Sequence, residues 1–209
     1  MATAVILVIG GAGATGKSSL SRVLARRLGV AVLDQDVVTN PLMGRLAEAH
    51  DIPLDFGHPL LTGATRDARY RCLTDTAALN ASVGVGSILV APFTAEVSSE
   101  VAWGAFTASV APGVPVLIWL HLDAERLAAR RSRRNLPRDR GTQPEPVMPA
   151  HGIPAVVLDA DLPLDRAIPP ILRAVAAAKR RGTPAPASEA DPALCAPCAP
   201  SPARLAEVE

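Results

Sequence analysis

The stretch that most limits what this chain can become is "AVILVIGGAGATGKSSLSRVLARRLG", residues 4–29. Residues 4–9 are an unbroken aliphatic, β-branched run, the pattern of a strand covered on both faces of a parallel sheet. Glycines 10, 11, 13 and 16 then interrupt it. Beyond them Leu20, Val23, Leu24 and Leu28 recur at helical spacing, which predicts an amphipathic helix from Lys17 that Gly29 ends. Between strand and helix, Gly11-Ala12-Gly13-Ala14-Thr15-Gly16-Lys17-Ser18 fits G-x-x-x-x-G-K-[ST], and this strand-before, helix-after context makes the pattern specific. Glycines let successive backbone N–H groups turn inward around phosphate oxygens, and the helix start adds its dipole and its unpaired N–H groups. Lys17 can reach the β- and γ-phosphates, and the Ser18 hydroxyl suits Mg²⁺. Residues 11–19, Ser19 included, are therefore expected to hold ATP with Mg²⁺. The 21 basic residues are nearly all arginine, with lysine only at Lys17 and Lys179, which gives the lysine in this loop added weight.

The rest of the chain alternates in the same way. Residues 30–34, 86–93, 114–122 and 154–160 read as strands. Helices are expected over about 65–79, from Thr94 as a possible N-cap, over 123–134 with Asp123 as N-cap, and over 164–180, its start disturbed by Pro169 and Pro170. Residues 37–85 read as a polar, loop-rich insertion in which Pro41, Pro53 and Pro59 bound short helical pieces. Residues 182–209 hold six prolines amid alanine and serine and read as a disordered tail, leaving 1–181 as the folded domain. The implied class is α/β with a mostly parallel sheet, whose ligands bind beyond the carboxyl ends of the strands.

Composition narrows the function classes. At 209 residues, with 49% hydrophobic residues, the chain suits one soluble domain. A net charge of +1 and an aromatic content of 3% give no footing for nucleic acid. No apolar run reaches the roughly 18 residues of a membrane span, so no membrane partner is expected. Only Met1 to Thr3 precede the first strand, and a cytoplasmic location is expected. Cys72, Cys195 and Cys198 form no disulfide framework, and "CAPC" lacks a second ligand pair.

Two aspartates follow the second strand in "VAVLDQDVVTN". An acid at a carboxyl strand end faces the γ-phosphate crevice, where it can support Mg²⁺ or accept the proton of an attacking hydroxyl; Asp34 and Asp36 both qualify. With these residues the chain, over roughly 4–140, resembles the P-loop small-molecule kinases: shikimate kinase, gluconate kinase, chloramphenicol phosphotransferase and the bacterial AAA-domain ATP-binding kinases. The resemblance implies a P-loop NTPase fold with a five-stranded sheet in order 2-3-1-4-5. It also implies Asp34 as magnesium helper and Asp36 as acceptor-side base. The sequence departs from shikimate kinase where the third strand ends in "APF" instead of a glycine-rich substrate loop, so shikimate is not the expected acceptor. No aspartate ends the third strand, which argues against a motor or signalling ATPase.

The segment "RLAARRSRRNLPRDR", residues 126–140, holds seven arginines. Such a run can be a solvated helix face or a nucleic-acid patch. Its place after the fourth strand resembles the lid of nucleoside-monophosphate-type kinases, with a lid over about 130–140. That likeness nominates Arg130 and Arg134 for charge neutralisation and Arg138 for the nucleotide. In the insertion, Asp55, His58, Arg66, Arg69 and Tyr70 are the conspicuous polar groups, and "RDARYRCL" resembles an R-x-x-x-Y segment of bacterial ATP-binding kinases, nominating Arg66 and Tyr70 for the acceptor. Pro92 and Phe93, at the active edge, are expected to line the same pocket.

The expectation is an ATP- and Mg²⁺-dependent phosphotransferase acting on the hydroxyl of a small molecule, as a monomer or homodimer. The Arg/Ala/Pro bias suggests a high-GC bacterium, where an antibiotic or other secondary metabolite is a natural acceptor. An ATP-binding regulatory protein and a nucleoside or nucleotide kinase stay open as alternatives.

Overall fold

The computed structural model describes residues 3–56, 58–134 and 147–181. The 182–209 tail, with Cys195 and Cys198, lies outside the described residues.

The described strands are β1 (Val5–Gly11), β2 (Ala31–Asp34), β3 (Ser87–Val90), β4 (Val114–His121) and β5 (Ala155–Asp159). They form one all-parallel sheet in the order β2-β3-β1-β4-β5. The helices are α1 (Lys17–Leu28), α2 (Gln35–Ala49), α3 (Pro59–Ser82), α4 (Glu100–Ser109), α5 (Ala124–Arg134) and α6 (Leu164–Arg181). Central β1 is buried along its whole length. Its side chains alternate: Val5, Leu7 and Ile9 join Leu20, Leu24, Ile168 and Ile171 under α1 and α6. Ile6 and Val8 join Leu73, Ala77 and Phe106 under α3 and α4. Each such aliphatic side chain contributes about 1.5–3 kcal/mol on burial, so the two cores fix the register of β1.

Four details differ from the sequence expectation. First, β1 is not broken at Gly10; it runs through Gly11, pairing Gly10 with Trp119 and Gly11 with Leu120, because β4 extends alongside. Second, the helix expected over 65–79 extends in both directions to form the 24-residue α3, and a 15-residue α2 stands where short helical pieces were expected. Pro41 lies inside α2, where both it and Val37, whose carbonyl it leaves unpaired, are exposed to water. Pro59 opens α3 behind His58, whose Nδ1 accepts the Leu60 N–H at 3.3 Å. Met43, Ala47 and Leu61 give this helical pair a small core of its own. Third, Thr94 caps nothing: α4 starts at Glu100, with Ser99 accepting the Ala102 N–H at 3.1 Å. Residues 94–99 instead turn back on Phe93, whose carbonyl accepts the Val97 N–H at 3.1 Å. Fourth, Pro169 and Pro170 sit within α6, and Pro169 is exposed. Asp123 does cap α5, its Oδ1 accepting the Arg126 N–H at 2.8 Å.

Gly10 lies against the ring of Trp119, and a Cβ there would fall 2.4 Å from the ring atom Cζ3. Gly10→Ala is expected to cost about 1–3 kcal/mol of stability through overpacking. Urea denaturation followed by tryptophan fluorescence checks this; an unchanged midpoint would mean that the ring retreats freely.

Candidate active site

The turn after β1 needs residues without side chains or with left-handed backbone. Gly11 has φ 128°, and a Cβ there would lie 2.3 Å from the Leu120 carbonyl oxygen. Ala14 takes φ 73° and Gly16, the N-cap of α1, φ 88°. A non-glycine residue held there costs about 1–2 kcal/mol, which the packing around Ala14 must offset. Thr15 is buried and spends its hydroxyl on the Ala12 carbonyl at 2.9 Å. Lys17 folds back across the loop, its Nζ donating to the Gly11 and Ala12 carbonyls at 2.8 and 2.7 Å. The ammonium is thereby held over the concave backbone that phosphate oxygens would enter.

Ser18, in the first turn of α1, donates its hydroxyl to Asp34 Oδ2 at 2.7 Å. Asp34 ends β2 and caps α2, its Oδ1 accepting the Asp36 N–H at 3.1 Å. Cap and hydroxyl each take one oxygen, so the Asp34 rotamer is fixed and the Ser18 lone pairs are turned away from it. Asp36 stands in the first turn of α2 with its side chain 46% exposed.

On α3, Arg66 and Arg69 are spaced to share a face. Arg69 donates from Nε to Thr39 Oγ1 at 2.8 Å and from one terminal nitrogen to Asn40 Oδ1 at 2.9 Å and Asp36 Oδ1 at 3.4 Å. Its guanidinium also stands over the Phe56 ring at 5.0 Å. Burial lowers its pKa, and the Asp36 charge opposes that shift. Arg66 turns instead to Glu96, at 2.7 Å, and stacks 4.3 Å from the centre of the Tyr70 ring. For Arg66, burial lowers the pKa, but the hydrogen bond and charge of Glu96 outweigh it and the net shift is upward. The Tyr70 hydroxyl accepts the Phe93 N–H at 3.2 Å.

Pro92 is exposed, and its carbonyl accepts the Gly11 N–H at 3.2 Å, which ties the phosphate loop to the end of β3. Phe93, named above as pocket lining, is fully buried at φ 52°, its ring edge-on to Tyr70 and Phe106. It backs the wall instead of facing the crevice.

On the other flank of the loop is an open cleft of about 650 Å³, lined by Ala14, Gly16, Ser19, Arg130, Arg133 and Asp161. Arg130 reaches from α5 to the Ala14 carbonyl at 3.4 Å and the Ala160 carbonyl at 3.1 Å, and pairs with Asp161. Arg126 binds Asp123 at 2.6 Å, Asp159 at 2.8 Å and Asp161 at 2.9 Å. Its hydrogen bonds hold the Asp123 and Asp159 carboxyls below their ordinary value, and these carboxylates in turn raise the Arg126 pKa. The Arg134 side chain and residues 135–146, which include Arg138 and the rest of the expected 130–140 lid, lie outside the described residues.

Lys17, Ser18, Asp34 and Asp36 thus converge at the carboxyl ends of β1 and β2, and Arg130 meets the loop from α5. Arg66 and Tyr70 touch each other, and Arg69 is the arginine that pairs with Asp36. Sequence reasoning marked Arg69 as a conspicuous polar group without giving it a role, and it passed over Glu96, Asp159 and Asp161.

A model of the family described as AAA domain matches residues 5–148. Among solved structures, a suspected kinase from Chloroflexus aurantiacus is 18% identical, with TM-score 0.61 over 85% of this chain and 99% of its own. The Mycobacterium tuberculosis APS kinase CysC, in complex with AMPPNP and APS, is 18% identical, with TM-score 0.55 over 84% and 99%. A sugar kinase from Janibacter sp. is 20% identical, with TM-score 0.51 over 85% and 97%. At these identities the likeness shows the fold, that of the P-loop kinases. No curated protein matches the sequence significantly.

Tyr70 is the single tyrosine of the chain, so its titration can be read without interference. Burial, with the nearby Glu96 charge, raises its pKa from 10.0 to about 12. The folded state keeps a proton that the unfolded chain gives up, so this group's stabilisation is fully present below pH 10.0 and is lost as pH rises through about 12. Tyrosinate absorbance is expected to rise near pH 12 in the folded protein and near 10.0 in urea. Coincident midpoints would contradict the burial of the phenol.

Proposed function

The chain belongs to the AAA-domain family, and on that footing we propose that it is an ATP-dependent phosphotransferase that moves the γ-phosphoryl group to a hydroxyl of a small molecule. The observation that carries this reading is the Ser18–Asp34 hydrogen bond, 2.7 Å long, with Asp36 two residues on, in the first turn of α2. It joins the phosphate loop to an acidic strand end, so that a nucleotide-side and an acceptor-side group stand at one crevice. The kinase likenesses of the fold support the same class of reaction.

In this reading the loop amides and Lys17 bind the phosphates, and Arg130 closes on them from α5 with Arg134 and Arg138 of the 130–140 lid. Ser18, with Asp34 behind it, would hold Mg²⁺, an all-oxygen donor set that suits a hard cation. Among the described residues no group of three His, Cys, Asp or Glu side chains could hold a metal, which fits an ion completed by phosphate and water. When bound, that ion supplies charge neutralisation between the β- and γ-phosphates. Asp36 accepts the hydroxyl proton of the acceptor, and Arg66, Tyr70 and Pro92 contribute to the acceptor side. Catalysis on this plan is positioning and electrostatic stabilisation. The acceptor class we favour from composition is an antibiotic or other secondary metabolite. The domain we assign to this activity is 1–181, cytoplasmic and monomeric or homodimeric.

The test is incubation with Mg·ATP and a panel of alcohols, sugars, nucleosides and hydroxylated antibiotics, read by mass spectrometry. Lys17→Ala is expected to abolish product together with nucleotide binding. Asp36→Ala is expected to lower kcat about 10²–10⁴-fold, the range for a lost general base, with nucleotide affinity retained. Nucleotide binding without any phosphorylated product would favour a regulatory role instead.

A further inference from the structure

The acceptor side of the crevice holds two arginines, and both are already matched. Arg69 is 14% exposed and spends its guanidinium on Asp36, Thr39 and Asn40. Arg66 faces two carboxylates, Glu96 at 2.7 Å and Asp67 at 3.7 Å. Tyr70 stays neutral well above physiological pH because it is buried. Counting Asp34, this side sets Asp34, Asp36 and Glu96 against Arg66 and Arg69, with Asp67 exposed to water beside Arg66. It also has acceptor capacity to spare: Glu96 Oε2 is buried and has no hydrogen-bond partner among the described residues.

We propose that Glu96, by neutralising Arg66, sets the charge of the phosphoryl acceptor: the enzyme takes a neutral or cationic hydroxyl compound, rich in hydrogen-bond donors, and rejects carboxylate- or phosphate-bearing acceptors. This rests on the kinase reading above and names the substrate class of the same site. An anionic acceptor would have to break one of two partly buried ion pairs to find a counter-charge, and would leave a carboxylate unmatched when it did so. A polyol or amino alcohol meets no such obstacle, since hydroxyl and ammonium groups donate to the carboxylates that dominate the wall. Glu96 sits at the centre of this because it is the more buried member of its pair, 13% exposed against 39% for Arg66. Replacing it by a neutral isostere leaves a guanidinium whose other carboxylate, Asp67 at 3.7 Å, is 93% exposed and screened by water.

The experiment measures phosphoryl transfer from Mg·ATP by the full chain to three size-matched probe pairs: glucose and glycerol, glucosamine and ethanolamine, gluconate and glycerate. Binding of the same probes in the presence of Mg·AMPPNP is measured in parallel by calorimetry. Wild type is expected to favour the neutral and cationic pairs by at least tenfold in kcat/KM. Glu96→Gln is expected to shift that ratio at least tenfold toward the anionic pair, through KM for the acceptor, with KM for ATP unchanged. Thermal unfolding of Glu96→Gln and a second variant, Arg66→Gln, which should weaken the wild-type bias against anions no further, separate charge from misfolding. Preference of the wild type for the anionic probes, or an unchanged ratio in a folded Glu96→Gln, overturns the assignment while leaving the kinase reading intact. Absence of transfer to every probe counts against the kinase reading. In that case a Glu96-dependent charge preference in the calorimetry sustains the assignment, and its absence overturns it.

Discussion

Two residues without side chains set the path by which the phosphate loop leaves the sheet. Gly10 lies against the Trp119 ring and Gly11 against the Leu120 carbonyl, at distances no Cβ could share. Because β1 can therefore stay paired with β4 through Gly11, the chain turns late, directly above the carboxyl edge. The Gly11 N–H then reaches the Pro92 carbonyl, so the loop is tied to the end of β3 as well as to β4. The next residue, Phe93, is held at positive φ by a buried ring, and its N–H meets Tyr70. One close approach in the sheet is in this way connected, bond by bond, to Tyr70 on α3.

The two flanks of the loop are built on different principles. On the nucleotide side, Arg126 draws Asp123, Asp159 and Asp161 together, and Asp161 in turn holds Arg130 next to Ala14. These groups are substantially exposed, so water screens them and their contribution is chiefly geometric: they fix where Arg130 starts. On the α2–α3 side the pairs Arg69–Asp36 and Arg66–Glu96 are more buried, so opposite charges there interact with less screening by water. The helical pair α2 and α3 can carry such pairs because Met43, Ala47 and Leu61 give it a core independent of the sheet.

Much of this was legible in advance. Strand positions, the phosphate loop, the Asp123 cap and the two aspartates after β2 all follow from local pattern, and the sheet order agrees with the family likeness. The helix over 65–79 is legible and lies within α3, but its start at Pro59 and the length of α2 are not, because a proline reads as a helix boundary; Pro41 sits instead on the exposed face of α2, where the helix continues past it. Phe93 and Thr94 were misread for a related reason: a strand end followed by Thr resembles a helix start, whereas burial of Val97 and Phe93 imposes a turn first. Glu96 gave no signal, since either glutamate of "TAEVSSE" is indistinguishable in sequence from any surface acid.

What the sequence determined by itself is the phosphate-binding turn and the alternation around it, because backbone freedom at glycine and the periodicity of apolar residues are properties of neighbours along the chain. The tertiary structure alone decided which arginine meets which carboxylate: Arg69 with Asp36, Arg66 with Glu96, Arg126 with Asp159 and Asp161. Those partners lie on different elements, and opposite charges select each other by the distance that packing leaves between them, a quantity no spacing in the sequence records.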